Sequence, residues 1–283
     1  MQAAIVVPTY NEKDNILKLI KEVKESISYS DNEVSFVIVD DNSPDGTQDI
    51  LRKVAKENNN IHLIARPRKM GLGSAYIDAF RWILSNTKTT DIVIQMDADL
   101  SHPPKVLTSI IDALNDGTDV VIASRYSGSG SINGWPIYRR MISKGANIFA
   151  RTLLGVKVKD MTSGYKAFRL NVLRELLAWK LSSKGYEYQV ETVYIISKLG
   201  KRIQEIPFVF SNRTEGKSKL AIKDILVFIK TITNLRLRPP SKIEEVETEQ
   251  KQKQEQKQEQ EQYVYTAQSQ KDISLSQRVD RSV

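Results

Sequence analysis

Short, almost unbroken apolar runs recur through the first half of the chain, each followed by a polar turn and then a helix-spaced pattern, and few folds accept that alternation. Residues 3–8 (AAIVVP), 34–39 (VSFVIV), 61–65, 92–96 and 119–123 read as buried strands. Between them, Ile16, Leu19, Ile20, Val23 and Ile27 recur at helical spacing, with Asn11 placed to cap that helix. Further helices are predicted over 47–58 and 73–86. Another opens at Pro103-Pro104 and carries Val106, Leu107, Ile110, Ile111 and Leu114 on one face. Strands without polar alternation are buried on both sides, so the expectation is an α/β fold with a mainly parallel central sheet flanked by helices. The second half is less regular. It reads as helices over 139–154 and 190–199, a strand over 202–210, and a basic amphipathic helix over 219–238 stopped by Pro239-Pro240.

Composition changes after that stop. Residues 251–262 contain only Lys, Gln and Glu, and the stretch 241–283 has too few apolar residues for a core. The predicted division is a folded domain over 1–240 and a disordered low-complexity tail over 241–283. The tail from Glu244 has 6 Lys and Arg against 9 Asp and Glu. The remainder has 36 against 25, a balance of +11. A basic body favours an anionic partner such as a phosphorylated substrate, an acidic membrane or nucleic acid. Nucleic-acid binding would call for stacking platforms or a reading helix, and neither pattern is present. The chain has no Cys, which excludes disulfides, thiolate catalysis and Cys-type zinc sites, and its two His give a Ser-His-Asp hydrolase little to build on. No basic n-region follows Met1 and no apolar run is long enough to span a bilayer, so a soluble or peripheral protein is expected.

Ligands of open α/β sheets lie beyond the C-terminal strand ends, and three polar clusters fall there: 8–12, 40–46 and 97–102. In Asp97-Ala98-Asp99, strand alternation would send both carboxylates to one side. A divalent cation such as Mg²⁺ or Mn²⁺ would relieve their repulsion and keep sites open for substrate phosphates; a solvated turn before Pro103 is the plainer alternative. Residues 40–46 (DDNSPDG) form either an ordinary turn or a loop whose carboxylate meets a nucleotide. Arg125, Arg139, Arg140, Arg213, Lys217 and Lys219 are candidate phosphate clamps, with Arg139 and Ser143 one helical turn apart. His62 reads as structural. His102, three residues after Asp99, can approach a metal or brace the turn.

In order, residues 7–12 (VPTYNE), 39–47 (VDDNSPDGT), 71–76 (GLGSAY) and 96–103 (MDADLSHP) resemble the family 2 glycosyltransferases of GT-A fold. The more specific segments 134–136 (GWP), 143–147 (SKGAN) and 213–219 (RTEGKSK) resemble the dolichyl-phosphate mannose synthases, over about residues 1–237. The resemblance implies metal-dependent, inverting transfer of mannose from GDP-mannose to dolichyl or polyprenyl phosphate; a UDP-glucose transferase is the alternative. It implies that Pro8, Tyr10, Glu12, Val39 and Asp41 hold the nucleotide, and that Asp97, Ala98 and Asp99 hold the diphosphate through Mg²⁺ or Mn²⁺. Arg125, Arg213 and Lys219 would contact the donor, and Arg139 with Ser143 would receive the acceptor phosphate. Some members carry Gln at the place of Ser101, whose shorter side chain leaves that ligand's place to water. The implied setting is the cytoplasmic face of a membrane, with the membrane surface as a partner, room for a membrane-anchoring subunit, and no nucleic acid. Within this resemblance the basic helix 219–238 would lie on an anionic membrane or pack on the catalytic domain.

Overall fold

The computed structural model describes residues 1–28, 32–211 and 222–243. The chain divides into a unit of Met1–Pro240, described below, and a unit of Ser241–Val283. From residue 244 on, the expected tail lies outside the described residues.

The strands are β1 (Gln2–Thr9), β2 (Glu33–Asp40), β3 (Ile61–Ala65), β4 (Ile92–Gln95), β5 (Val120–Ser124), β6 (Ser131–Ile132), β7 (Lys166–Arg169), β8 (Ile203–Pro207) and β9 (Val209–Phe210). The helices are α1 (Ile16–Ile27), α2 (Thr47–Glu57), α3 (Leu72–Asn86), α4 (Leu107–Asn115), α5 (Ile137–Leu154), α6 (Leu170–Leu177), α7 (Tyr188–Lys198) and α8 (Ile222–Leu237). Seven strands form one sheet in the order β3-β2-β1-β4-β7-β5-β8, and β6 pairs with β9 separately. All pairings in the large sheet are parallel except those of β7, which runs antiparallel between β4 and β5.

Strand side chains alternate between two cores. Ala4, Val6, Val37, Val39 and Val93 face α3, α6 and α7. Ile5, Val7, Phe36, Ile38 and Ile94 face α1 and α4. Burial on both faces explains why these strands carry no polar alternation. The chain leaves β1 towards β2 on one side and β4 on the other, so the crevice beyond the C-terminal ends of these strands is the topological switch point.

Three readings are corrected. Asn11 does not cap α1. The helix begins at Ile16, while Asn11 takes a positive φ of 62° and its N–H donates to Ser43 Oγ, tying the β1 turn to the β2 turn. The single strand expected over 202–210 is two. β8 ends at Pro207, and Phe208 N–H bonds the Ser124 carbonyl while its own carbonyl accepts from Ser131, handing the chain to the small sheet. Asp97 and Asp99 are presented by a turn and not by strand alternation, because β4 stops at Gln95. Among the described residues, no helix is long and apolar enough to cross a membrane.

Candidate active site

At the end of β2 the two acids have separate roles. Asp40 is buried and accepts from Thr9 Oγ1, Ser43 N–H and Oγ, and Gln48 Nε2, which knits the turn. Asp41 reaches the other way. Its Oδ1 accepts from Arg66 Nη1 at 2.7 Å, and its Oδ2 from the N–H groups of Met70 and Gly71 at 3.1 Å each. Arg66 is itself buried and also donates to Ser74 Oγ at 2.6 Å. The 66–71 loop is thereby fixed as a wall beside β1 and β2. Pro8 and Val39 are direct register partners on its floor. Tyr10 stands exposed at the edge, with Lys69 Nζ 3.7 Å above its ring. Glu12 carboxylate bonds Asn15, and Glu12 N–H donates to Thr47 Oγ1.

The acid turn follows β4. Asp99 is buried, and its Oδ1 accepts from Ser101 N–H at 3.1 Å and Ser101 Oγ at 2.6 Å. Leu100 adopts a φ of 61°, which closes the turn. His102 braces it from beneath. Its Nδ1 accepts the Asp97 N–H at 3.0 Å, which puts the ring proton on Nε2, 3.8 Å from Asp97 Oδ2. The imidazole stacks on Tyr165 with centroids 5.0 Å apart. Of the two roles weighed for His102, this geometry favours bracing. Ala98 is buried between the acids. Tyr76, wholly buried, has its pKa pushed up first by burial and then by Asp97, Tyr188 and Asp99, so both carboxylates act on one phenol.

These donors fit a hard divalent cation, which takes carboxylate oxygens and completes its shell with water and phosphate. Among the described residues, no three His, Cys, Asp or Glu side chains cluster as a cage.

Across the crevice lies a basic wall. Arg125 is buried, with Nε 2.8 Å and Nη2 2.7 Å from the two oxygens of Asp160; Nη2 also reaches Thr162 Oγ1. Burial alone would push the guanidinium's pKa down. Asp160 outweighs it, with a further contribution from Asp97, and the net direction is up. Arg139 lies 3.9 Å over the ring of Trp135, whose far neighbours are Phe210 and Arg125. Ser143, one turn on, accepts from Tyr126 OH at 2.7 Å. Asn147 pins this helix to the 160–163 loop: its Oδ1 accepts from Met161 N–H and its Nδ2 donates to Thr162 Oγ1.

The predicted residues thus form three groups: Pro8, Tyr10, Glu12, Val39 and Asp41; Asp97, Ala98 and Asp99; Arg125, Arg139 and Ser143. An aromatic series from His102 through Phe210 to Trp135 links the second group to the third. Arg213, Lys217 and Lys219 lie outside the described residues. Sequence reasoning missed Arg66, Trp135 as a platform, Asn147 and Asp160. Arg66 directly follows β3, and its place at a strand end was the available signal.

The model of the family described as "Glycosyl transferase family 2" matches residues 4–177. The chain is 38% identical over 221 residues to the undecaprenyl-phosphate mannosyltransferase of Micrococcus luteus, covering 78% of this chain and 88% of that one. It is 36% identical over 222 residues to the polyprenol monophosphomannose synthase of Mycolicibacterium smegmatis, covering 78% and 82%. Among solved structures, the glucosyl-3-phosphoglycerate synthase of Mycobacterium tuberculosis, in complex with Mn²⁺ and UDP-glucose, superposes with a TM-score of 0.57 at 20% identity, covering 83% of this chain and 78% of that one. The same enzyme in complex with Mg²⁺ and UDP superposes equally well. At that identity the likeness shows a shared GT-A-type fold.

Proposed function

This chain belongs to glycosyl transferase family 2, and from that premise we propose that it transfers a mannosyl group from GDP-mannose to a polyprenyl phosphate. The observation that carries this reading is the pairing of two sites at the sheet's C-terminal edge. The acid turn of Asp97 and Asp99 suits a donor diphosphate, and the Arg139–Ser143 flank of α5 suits an acceptor phosphate. The aromatic series from His102 to Trp135 joins them. The names of the two relatives supply mannose and the polyprenyl phosphate.

In the proposed reaction an acceptor phosphate oxygen forms a bond to the anomeric carbon as the bond to the donor diphosphate breaks on the opposite face, inverting that centre. The acceptor phosphate is ionised at neutral pH, so the chain need not supply a strong base. Asp97 and Asp99 would hold Mg²⁺ or Mn²⁺, which contributes charge neutralisation at the departing diphosphate. Pro8, Tyr10, Glu12, Val39 and Asp41 hold the nucleoside, with Arg66 keeping the Asp41 wall in place. Arg125 faces the donor, and Arg139 and Ser143 orient the acceptor phosphate in line with the sugar carbon. Arg213 and Lys219 are assigned to the leaving diphosphate on the motif alone. The reading places the protein peripherally on the cytoplasmic face of a membrane, since its acceptor is a lipid, with a membrane-anchoring subunit as a further partner.

The test is a donor-by-acceptor matrix. The purified chain is given Mg²⁺ or Mn²⁺, radiolabelled GDP-mannose or UDP-glucose, and polyprenyl phosphate in detergent. Labelled lipid from GDP-mannose is the expected product. Turnover of UDP-glucose alone would replace the donor, and no lipid product from any combination would end the reading.

A further inference from the structure

Three consecutive residues, Thr162, Ser163 and Gly164, connect the basic wall to the acid turn. At one end Thr162 Oγ1 accepts from Arg125 Nη2 at 2.7 Å and from Asn147 Nδ2 at 3.0 Å. Ser163 anchors the stretch, its Oγ donating to the Ala123 carbonyl at 2.6 Å. At the other end Gly164 is only half-buried and meets the acid turn. A Cβ placed on it would stand 3.2 Å from His102 Cε1, 3.4 Å from Gln189 Nε2 and 3.5 Å from Asp97 Oδ1. Gly164 is not among the glycines of positive φ, so the backbone angle does not require it. A methyl group there would crowd the imidazole and occupy the space that the amide and the carboxylate share.

Gln189 is the member of that group with no task yet assigned. It stands in the first turn of α7 and is 2% exposed. Its backbone is held on both sides. The N–H donates to the Tyr186 carbonyl at 3.1 Å, and its own carbonyl accepts from Lys166 Nζ at 2.9 Å and Thr192 Oγ1 at 3.1 Å. Its side chain is not held in this way: Oε1 is buried and has no hydrogen-bond partner among the described residues. Leaving a buried amide oxygen unsatisfied is costly, so such a group calls for a partner. The surroundings decide which. Asp97, with 31% of its side chain exposed, repels an anion, which rules out a phosphate at this spot. A hard cation is better served by the carboxylates of Asp97 and Asp99. A neutral carboxamide offers an acceptor beside its donors, and a hydroxyl, which both donates and accepts, matches it.

We propose that the Gln189 carboxamide and the open face of Gly164 form the subsite for one hydroxyl of the donor sugar. The proposal rests on the glycosyl-transfer reading above. That reading requires the sugar to lie between the diphosphate at Asp97 and Asp99 and the acceptor phosphate at Arg139 and Ser143, and the 162–164 stretch runs between the same two groups. Helix α7 fixes the Gln189 backbone before any substrate arrives, so little ordering is lost on binding. A sugar whose hydroxyl points elsewhere leaves Oε1 unpaired. The subsite therefore discriminates between donors that share a nucleotide and differ in the hexose.

The test separates what the sugar contributes from what the nucleotide contributes. With Mn²⁺ and polyprenyl phosphate in detergent, kcat/KM is measured for GDP-mannose and each of its monodeoxy forms, in the full parent chain and in Gln189→Met. One deoxy donor should lose about tenfold or more with the parent. Gln189→Met should lose about as much with GDP-mannose, and nothing further with that deoxy donor. Its equilibrium affinities for GDP and for Mn²⁺ alone should stay within about twofold of the parent. Gly164→Ala fills the space and leaves the amide in place; it should show the same pattern, and it replaces Gln189→Met if that variant does not fold. The proposal is overturned if no deoxy donor is coupled to Gln189 or if Gln189→Met binds GDP-mannose as the parent does. It is equally overturned if GDP or Mn²⁺ affinity falls in step with that for GDP-mannose, which would make Gln189 a structural residue or a metal ligand. A parent that turns over UDP-glucose and not GDP-mannose removes the functional reading alone, and the same cycle with deoxyglucose donors then decides the subsite. No turnover of either donor removes both.

Discussion

Arg125 and Asp160 form a two-pronged buried ion pair, and the same carboxylate also accepts Arg125's own backbone N–H at 2.9 Å. The pair locks the segment after β5 to the loop before β7. Glu205 on β8 holds that loop from the other side through the N–H groups of Lys159 and Asp160. Burial alone would raise the Asp160 pKa, but Arg125 outweighs it and the carboxyl sits below its ordinary value.

Breaking the pair from one side should therefore be expensive. Asp160→Asn leaves a guanidinium buried without its counter-charge and is expected to lower stability by about 3–5 kcal/mol, read from urea unfolding. The double variant Arg125→Met/Asp160→Asn should lose less than the sum of the two single changes. The pH dependence has a definite sign. A carboxyl whose folded pKa lies below its unfolded one contributes stability that is present above the unfolded value and lost as pH falls through the folded one. Acid unfolding of the parent should thus carry an Asp160 component below about pH 4 that Asp160→Asn lacks.

Lys166 gives a slope of the same sign in a higher pH window. It is wholly buried in the middle of the sheet, with Nζ 2.9 Å from the Gln189 carbonyl and 3.1 Å from Thr192 Oγ1. Burial pulls its pKa down from 10.5 to about 7, against a smaller upward pull from Asp160. Between those two values the unfolded chain binds a proton that the folded chain does not. Stability contributed at this site therefore rises as pH climbs from about 7 towards 10.5, with a slope approaching about 1.4 kcal/mol per unit. Urea titrations at pH 7 and pH 9 should show the parent gaining on Lys166→Met over this interval. Parallel curves for the two proteins would show that Lys166 titrates normally.

Lys166 also marks the limit of what the sequence discloses. The parallel strands β1, β2, β4 and β5 were legible because each is an apolar run buried on both faces. Strand β7 (KAFR) has no such run, since its charged ends are satisfied by α7 and by carbonyls before β5. Nothing in residues 166–169 marks an antiparallel insertion between two parallel strands. The site divides in the same way. Asp97 and Asp99 could be found because acids stand out at a strand end. Asp160, Asn147 and Trp135 could not, because what they do depends on partners 14 to 35 residues away or on a ring lying under a guanidinium. Gly73 was visible only as part of a motif. Its reason is spatial: a Cβ there would sit 2.5 Å from the Ser183 carbonyl oxygen.

The acid turn permits a substitution that separates chemistry from structure. Asp99→Asn keeps an oxygen for Ser101 N–H and Oγ, so the turn can close, but it removes the charge at that position. Transfer of mannose should fall by about a hundredfold or more while the melting temperature changes little. Asp99→Ala is the harsher control and loses the Ser101 contacts as well. Near-normal turnover by a folded Asp99→Asn would remove Asp99 from the reacting centre.

Trp135 supports Arg139 without belonging to either phosphate site, so its substitution should act on one substrate only. The indole lies 3.9 Å beneath the Arg139 guanidinium and is held edge-on by Phe210 at 5.3 Å. A cation over an indole gains about 0.5–1 kcal/mol at an exposed site and more where water is excluded. Most of the effect, however, should come from lost orientation of Arg139, the side chain proposed to receive the acceptor phosphate. Trp135→Ala is therefore expected to raise KM for polyprenyl phosphate several-fold and leave KM for GDP-mannose near its parent value. Trp135→Phe, which keeps a ring face under the guanidinium, should recover much of the loss. A purely structural role would instead depress kcat and both KM values together and shift the melting temperature in proportion. Steady-state kinetics with each substrate varied in turn, run beside thermal unfolding, distinguishes the two patterns.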